Sequence, residues 1–118
     1  MPPLVSLIVV NWNGAAYLEE CLTALENQSY TSTELFVVDN GSTDSSSEIL
    51  ARFPRVRVIW NEANRGFGSA NNQALAQSSG EMIAFINNDT VLELDWLKQI
   101  IEPMENSEVG MCAGKTLS

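Results

Sequence analysis

Short apolar runs alternate with amphipathic segments along the whole chain. Residues 5–10, 35–38 and 82–86 are apolar at nearly every position and rich in β-branched side chains, which is typical of strands covered on both faces. Residues 56–60 alternate apolar and polar side chains, which predicts a strand at or near the edge of a sheet. A fifth strand is predicted to begin within residues 109–113.

The segments between these runs have helical character. Leu18, Leu22 and Leu25 recur at helical spacing and predict a helix over residues 15–27. Residues 67–77, rich in alanine and ending before Ser78-Ser79-Gly80, predict a third helix.

The other two helices are predicted from their end signals. Ser45, with Glu48 three residues later, predicts a capping box for a helix that Pro54 ends. Asp95 is predicted to cap a fourth helix, which Pro103 disturbs. Asp44 is also interpreted as a cap.

This order of elements predicts one α/β domain over residues 1–118, with a mostly parallel sheet and helices on both faces. In such sheets ligands bind at the carboxyl ends of the strands, near the point where the strand order reverses. The predicted strands end in polar side chains: Asn11, Asn13, Asp39, Asn40, Asn61, Asn87, Asn88 and Asp89. Asn and Asp also favour turns, so each position taken singly has a structural explanation, whereas the cluster favours a binding site.

Composition narrows the chemistry of that site. The formal net charge is −9 with only six Lys and Arg, which argues against nucleic acid as a partner. The sequence has no histidine, and this excludes a Ser-His-Asp triad, a Cys-His pair and a typical zinc site. No apolar run reaches the roughly 18 residues of a transmembrane segment. Carboxylates, amides and a hard metal ion remain as the candidate chemical groups.

The two cysteines, Cys21 and Cys112, lie in apolar surroundings without companions at metal-ligand spacing. We interpret them as buried thiols in a reducing compartment, which favours a cytoplasmic location.

A dinucleotide-binding Rossmann domain is an alternative interpretation. Gly66-Phe67-Gly68 matches part of a G-x-G-x-x-G loop, but it does not follow the first strand, and Asn71 stands in place of the third glycine. The first turn contains only Gly14. A Rossmann oxidoreductase or a flavodoxin-like domain therefore remains the weaker alternative.

Four motifs, in order and at characteristic spacing, resemble the N-terminal half of family 2 glycosyltransferases, the inverting enzymes with a GT-A fold. They read SLIVVNWN, ELFVVDNGSTDSS, NRGFGSANNQAL and FINNDT. The NWNG, NRGFG and NND variants are most similar to the bacterial rhamnosyltransferase-type branch, which builds surface polysaccharides. The resemblance covers the chain from Val5 onward.

The resemblance implies a role for particular residues in holding a UDP- or dTDP-sugar. Val10, Asn11 and Trp12 would lie beside the uracil or thymine, and Asp39 would accept a hydrogen bond from the base N3–H. The base and diphosphate side would be lined by Asn64, Arg65, Gly66 and Asn71.

Residues 87–89 match the family's D-x-D motif, with Asn88 near the ribose and Asp89 as ligand to a divalent metal, Mg²⁺ or Mn²⁺. Only the last of the three positions keeps its carboxylate here. One carboxylate can suffice, because Mg²⁺ takes its remaining ligands from phosphates and water.

The implied reaction is a direct displacement that transfers the sugar, with inversion, to a glycan or lipid-linked acceptor. The resemblance places the general base beyond Ser118, so we expect this chain to be a fragment of a longer protein, truncated after the metal motif and inactive alone. Peripheral attachment at the inner face of the membrane fits a lipid-linked acceptor. A nucleotide-sugar-binding module without catalysis would show the same four motifs and is kept as an alternative.

Overall fold

A computed structural model describes residues 2–104 and the short strand at residues 111–112. Strands and helices alternate as the sequence predicts. The strands are β1 (Val5–Asn11), β2 (Thr33–Asn40), β3 (Arg57–Asn61), β4 (Met82–Asn87) and β5 (Met111–Cys112). The helices are α1 (Ala15–Glu26), α2 (Ser46–Leu50), α3 (Phe67–Gln77) and α4 (Trp96–Met104).

The five strands form one parallel sheet in the order β3-β2-β1-β4-β5. β1 is central and almost entirely buried, as its unbroken apolar run predicts, whereas β3 lies at the edge and is the most exposed of β1 to β4. The chain moves outward from β1 to β3 and then returns to the other side of β1 with β4. The strand order therefore reverses between β1 and β4, which is where ligands bind in sheets of this type. Residues 109, 110 and 113 of the predicted fifth strand lie outside the described residues.

Helices cover both faces of the sheet, which confirms the predicted α/β architecture. On one face, side chains of α1, α2 and α4 pack against β-strand residues such as Val9 and Val37 in the larger core. On the other face α3 packs against the sheet, and its Ala70 and Ala74 belong to a smaller cluster that includes Ile8 and Phe36. Small side chains on α3 let that helix approach the sheet closely.

The predicted helix caps at Ser45 and Asp95 are wrong, because other side chains accept the hydrogen bonds at the starts of α2 and α4. The Ser45 hydroxyl makes no capping hydrogen bond; Asp44 instead accepts from Ser46 N and, at 3.0 Å, from Ala15 N, so it caps α1 as well as α2. Hydrogen bonds from Ser46 and Ala15 outweigh the effect of desolvation and lower the pKa of the Asp44 carboxyl.

The second correction concerns α4. The carboxylate of Asp95 accepts a hydrogen bond from Ser29 Oγ at 2.6 Å, and Gln28 Oε1 accepts from Leu97 N at 2.9 Å at the start of the helix. The cap thus comes from a side chain 69 residues away in the chain, which a local sequence pattern cannot show. α4 ends one residue after Pro103.

Within residues 2–104, no helix has the length and hydropathy that would let it cross a membrane.

Candidate functional site at the carboxyl edge of the sheet

A cavity of about 310 Å³ opens at the carboxyl ends of β1 and β4, where the strand order reverses. Predicted site residues supply Val10, Trp12, Asn64, Asn88 and Asp89 to its wall. The wall also contains Asn40 and Asn87, which the sequence placed only among the polar strand ends, and Phe67, which the sequence did not assign to a site. Side chains from the ends of β1, β2 and β4 therefore meet at one cavity, as the parallel topology predicts.

The other predicted nucleotide-binding residues do not line this cavity. Asn11 and Asp39 are buried, with exposed fractions of 0% and 4%. Arg65 and Gly66 are exposed in the loop before α3, and Asn71 is half-buried on α3.

Asn11 joins the buried carboxylate of Asp39 to the motif at residues 87–89, because both polar groups of its side chain are hydrogen-bonded. Its Nδ2 donates to Asp39 Oδ1 at 3.1 Å and to Ser42 Oγ at 3.3 Å. Its Oδ1 accepts from Asn88 Nδ2 at 2.9 Å. Asp39 Oδ2 in turn accepts from Ser42 N at 3.0 Å. These bonds fix the ends of β1, β2 and β4 relative to one another.

Gly14 is required for this arrangement because the Asn11–Asn88 hydrogen bond passes over its Cα. A Cβ at residue 14 would lie 2.1 Å from Asn88 Nδ2 and 2.6 Å from Asn11 Oδ1. The φ angle of Gly14 is −101°, an ordinary value, so the need for glycine is steric and not conformational.

Two aromatic side chains are exposed at the cavity. Trp12 is 54% exposed and Phe67 is 59% exposed, and both line the wall. Large apolar faces left in water at a concave polar site are suited to stacking on a planar ligand. Phe67 is the first residue of α3. In the sequence it lies between Gly66 and Gly68, and an aromatic residue between two glycines could have been recognised as a candidate for an exposed ligand contact.

Among the described residues, Asp89 is the one carboxylate that lines the cavity. It is exposed, and within the described residues it accepts no hydrogen bond and forms no ion pair. The same part of the chain contains no group of three Cys, Asp or Glu side chains that could hold a metal by themselves. One carboxylate with neighbouring amide oxygens fits a Mg²⁺ or Mn²⁺ ion only when phosphate oxygens and water complete the ligand set.

Cys21 lies beneath this part of the site. Its Sγ donates to the backbone oxygen of Asn87 at 3.7 Å, and burial, with a smaller contribution from the charge of Asp89, raises the pKa of the thiol to about 12. The prediction of a buried thiol is confirmed for Cys21; the side chain of Cys112 lies outside the described part of the chain.

Comparison with known proteins identifies the family. The model of the family described as glycosyl transferase family 2 matches residues 6–118. EpsH of Bacillus subtilis, provisionally named a glycosyltransferase, is 36% identical over 103 residues, which cover 84% of this chain and 30% of EpsH. The glycosyltransferase GlyG of Streptococcus pneumoniae is 30% identical over 118 residues, which cover 97% of this chain and 39% of GlyG.

Solved structures show the same fold. TarS of S. aureus in complex with UDP-GlcNAc superposes with a TM-score of 0.81 at 30% identity, over 89% of this chain and 31% of the TarS chain. The mannosyltransferase PcManGT of Pyrobaculum calidifontis, in complex with GDP-Man and Mn²⁺, superposes with a TM-score of 0.84 at 27% identity, over 91% of this chain and 34% of that protein. The sheet and its helices therefore have the GT-A fold.

The chain spans 30% of EpsH and 39% of GlyG, so each of these relatives is more than twice as long as the matched region. The matched relatives are named as glycosyltransferases, which favours a transferase over the oxidoreductase and flavodoxin-like alternatives. The sheet order, the four motifs and the match over residues 6–118 lead to one assignment: the chain belongs to glycosyltransferase family 2.

Proposed function

We infer that this chain is the donor-binding part of an inverting glycosyltransferase, which transfers a sugar from a nucleoside diphosphate sugar to a glycan or lipid-linked acceptor. The observation that carries the proposal is the cavity between the ends of β1 and β4, with aromatic faces, amides and the Asp89 carboxylate in one wall. Support comes from TarS and PcManGT, which share the fold and have been crystallised or solved with UDP-GlcNAc and GDP-Man.

The nucleobase is proposed to stack at the aromatic side of the cavity, against Trp12, with Val10 beneath it. Asp39 is proposed as acceptor for the base N3–H. Each of its oxygens accepts one hydrogen bond inside the protein, from Asn11 or Ser42, and an ionised carboxylate has about four acceptor sites in all. The internal bonds hold the carboxylate in place and leave acceptor capacity for the base.

The ribose and diphosphate are proposed to extend from the base toward β4. Asn88 would contact the ribose, and Asn64, Arg65, Gly66 and Asn71 would lie on the base and diphosphate side. Asp89 would hold the Mg²⁺ or Mn²⁺ ion together with the diphosphate. When bound, such an ion stabilises the charge of the departing diphosphate as a Lewis acid.

The remaining chemistry is proposed to lie in the part of the longer relatives that this chain does not span. Inversion requires a general base to take the proton of the acceptor hydroxyl, and such a base is typically worth about 10²- to 10⁴-fold in rate. Residues 1–118 alone are therefore expected to bind the nucleotide without transferring sugar. TuaG of Bacillus subtilis, provisionally assigned to teichuronic acid biosynthesis as a glycosyltransferase, is 33% identical over 106 residues and supports a cell-wall or surface polysaccharide as product. A cytoplasmic location, including the inner face of the membrane, fits the buried thiol of Cys21.

Calorimetric titration of the 118-residue chain tests this proposal. Uridine, thymidine and guanosine diphosphates are titrated with and without Mn²⁺, and we expect a pyrimidine diphosphate to bind more tightly when Mn²⁺ is present. Asp89→Asn should remove the effect of Mn²⁺, because it removes the anionic ligand. Glu93→Gln is the matched control, since it neutralises an exposed carboxylate four residues away that does not line the cavity. Absence of binding for all three diphosphates, or an Mn²⁺ effect that survives Asp89→Asn, would overturn the proposal.

A further inference from the structure

Asn40 ends β2 and is buried, with 2% of its surface exposed, yet it reaches the wall of the cavity. The register of the sheet pairs it with Asn61, the last residue of β3. Burial of an amide is costly unless its donors and acceptor sites are occupied, so its contacts indicate what it stabilises.

All four hydrogen-bonding positions of the Asn40 side chain are occupied. Its Nδ2 donates to Asn64 Oδ1 at 3.0 Å and to the backbone oxygen of Gly66 at 3.3 Å. Its Oδ1 accepts from Asn61 Nδ2 at 3.2 Å and from Arg65 N at 2.9 Å. An amide has two donor hydrogens and two acceptor lone pairs, so this set saturates it. Neither a carboxylate nor an apolar side chain of the same shape could make all four contacts.

These contacts all go to residues 61–66, which comprise the last residue of β3 and the loop that connects β3 to α3. The loop is fixed at further points: Asn64 Oδ1 accepts from Gly66 N at 2.7 Å, and Asn61 and Gln73 exchange a pair of hydrogen bonds at 2.7 and 2.9 Å. A Cβ on Gly41 would lie 2.7 Å from Ala63 Cα, so the loop also packs directly on the turn that follows Asn40. The Asn40 side chain thus fixes the conformation of this loop relative to the end of β2.

We propose that Asn40 is a positioning residue for donor binding: its amide holds residues 64–66 in the conformation that the nucleoside diphosphate requires. The inference rests on the proposed function, in which Asn64, Arg65 and Gly66 lie on the base and diphosphate side. It assigns to Asn40 an effect on affinity that passes through the loop, because all four hydrogen-bonding positions of its amide are occupied within the protein and none is left for a ligand.

The substitution Asn40→Asp tests this proposal, because its effect on nucleotide affinity should depend on pH. The variant keeps an oxygen that accepts from Asn61 and Arg65, but it places a second oxygen opposite Asn64 Oδ1 and the Gly66 carbonyl, where a donor is needed. Protonation of the introduced carboxyl restores one donor, and burial among acceptors raises the pKa of such a group. Acid should therefore restore the loop in the variant.

The measurement is the affinity for uridine diphosphate in the presence of Mn²⁺, by calorimetry, at several values between about pH 5 and about pH 8. At the high end we expect Asn40→Asp to bind at least about tenfold more weakly than the native chain, the equivalent of one lost hydrogen bond. The ratio of the two affinities should fall to within about threefold at the low end. Titration of the diphosphate affects both proteins and cancels in that ratio.

Asn27→Asp is the matched control. Asn27 is exposed at the end of α1, away from the cavity, and its Nδ2 also donates to a backbone oxygen, that of Thr23 at 2.8 Å. The control introduces the same charge and loses the same kind of bond, so its affinity should match that of the native chain at every pH. Amide hydrogen exchange of Gly66 should accelerate in Asn40→Asp and remain native in Asn27→Asp.

Each outcome has a defined meaning. If folded Asn40→Asp binds within about twofold of the native chain at all pH values, or loses affinity that acid does not restore, Asn40 is not a positioning residue. If Asn40→Asp does not fold at neutral pH, Gln73→Glu is measured instead, because it removes the α3 donor to Asn61 Oδ1. The affinity of Gln73→Glu should also be reduced at high pH and recover in acid. If it does not, the result counts against the inference. If the native chain does not bind uridine diphosphate, the proposed function fails, and exchange at Gly66 still shows whether Asn40 holds the loop.

Discussion

The two halves of the carboxyl edge differ in where their polar groups find partners. On the side of β1, β2 and β3, the buried side chains of Asn11, Asp39 and Asn40 are hydrogen-bonded within the protein. On the side of β4, the carboxylate of Asp89 is exposed and has no hydrogen-bonding partner within the described residues. The first half is organised before any ligand arrives, whereas the second half presents a charge that a ligand and a metal can use.

The difference has a physical basis. A carboxylate that is removed from water must be hydrogen-bonded in the folded state, and this condition fixes Asp39 in one position. A carboxylate that remains in water loses nothing when a cation replaces part of its hydration. Asp39 is therefore suited to a fixed contact and Asp89 to a partner that comes and goes with the nucleotide.

The largest expected effect on stability separates these two carboxylates directly. Asp39→Ala leaves Ser42 N and one hydrogen of Asn11 without their acceptor, and we expect it to lower the free energy of unfolding by up to about 3 kcal/mol. Asp89→Asn should change it by less than about 0.5 kcal/mol, because the side chain is exposed and accepts no hydrogen bond from any residue that the structure describes. Urea unfolding of both variants measures the difference, and equal losses would show that the two halves do not differ as described.

An intermediate effect is expected where the two halves meet, at Gly14. Gly14→Ala forces Asn88 away from Asn11, and we expect a loss of about 1 to 2 kcal/mol in the free energy of unfolding. Gly68→Ala is the control, because a Cβ there meets open space on α3, and it should be neutral or stabilising by up to about 1 kcal/mol. Thermal unfolding of the two variants gives the comparison; if Gly14→Ala is as stable as Gly68→Ala, the Asn11–Asn88 bond does not join the halves.

The smallest expected effect on stability concerns a carboxylate outside the candidate site. It tests whether hydrogen bonding of a carboxylate within the protein occurs only at the carboxyl edge of the sheet. At the opposite, amino edge, Glu34 accepts from Ser6 Oγ at 2.6 Å and from Ser79 N at 2.7 Å, and Arg57 lies at 3.4 Å. Burial opposes the charged form, but these hydrogen bonds and the guanidinium prevail and lower the pKa of the Glu34 carboxyl below its ordinary value.

Because the folded-state pKa is lowered, the stability that Glu34 contributes is present above the unfolded-state pKa of about 4.3 and is lost as pH falls through the lower folded-state pKa. Glu34→Gln should cost about 1 kcal/mol at neutral pH and should reduce the loss of stability in acid. Unfolding free energies of the native chain and the variant, measured from about pH 3 to about pH 7, show this difference. An identical slope for both proteins would remove Glu34 from the acid-sensitive groups.

Most of the fold could be predicted from the sequence, because β1, β2 and β4 are continuous apolar runs, α1 has apolar residues at helical spacing, and α3 is rich in helix-forming residues. The edge position of β3 also followed from its alternation. The caps were wrong where a distant side chain supplied the acceptor, as Gln28 does for Leu97. α2 is shorter than the predicted segment, and Phe53 follows the turn at residues 51–52.

The site was predicted in its location and only partly in its composition. Five predicted residues line the cavity, but the pairing of Asn11 with Asn88, 77 residues apart, and the four contacts of Asn40 exist only in the folded chain. An asparagine at a strand end gives the same local signal whether it faces a ligand or supports a loop. Its role becomes visible when its hydrogen bonds can be counted.

The saturated amide of Asn40 also affects the chemical ageing of the protein. Asn40 and Asn13 each precede a glycine, and an asparagine in that position deamidates when the following backbone nitrogen attacks the side-chain carbonyl carbon and ammonia leaves. In Asn40 both the nitrogen and the oxygen of the amide are held by other groups, and 2% of the residue is exposed. Asn13 is exposed, and its amide oxygen alone is held, by Thr43 N at 2.8 Å. The fold thus protects Asn40, whose conversion to a carboxylate would release the loop, from deamidation. Deamidation is expected instead at Asn13, on the surface.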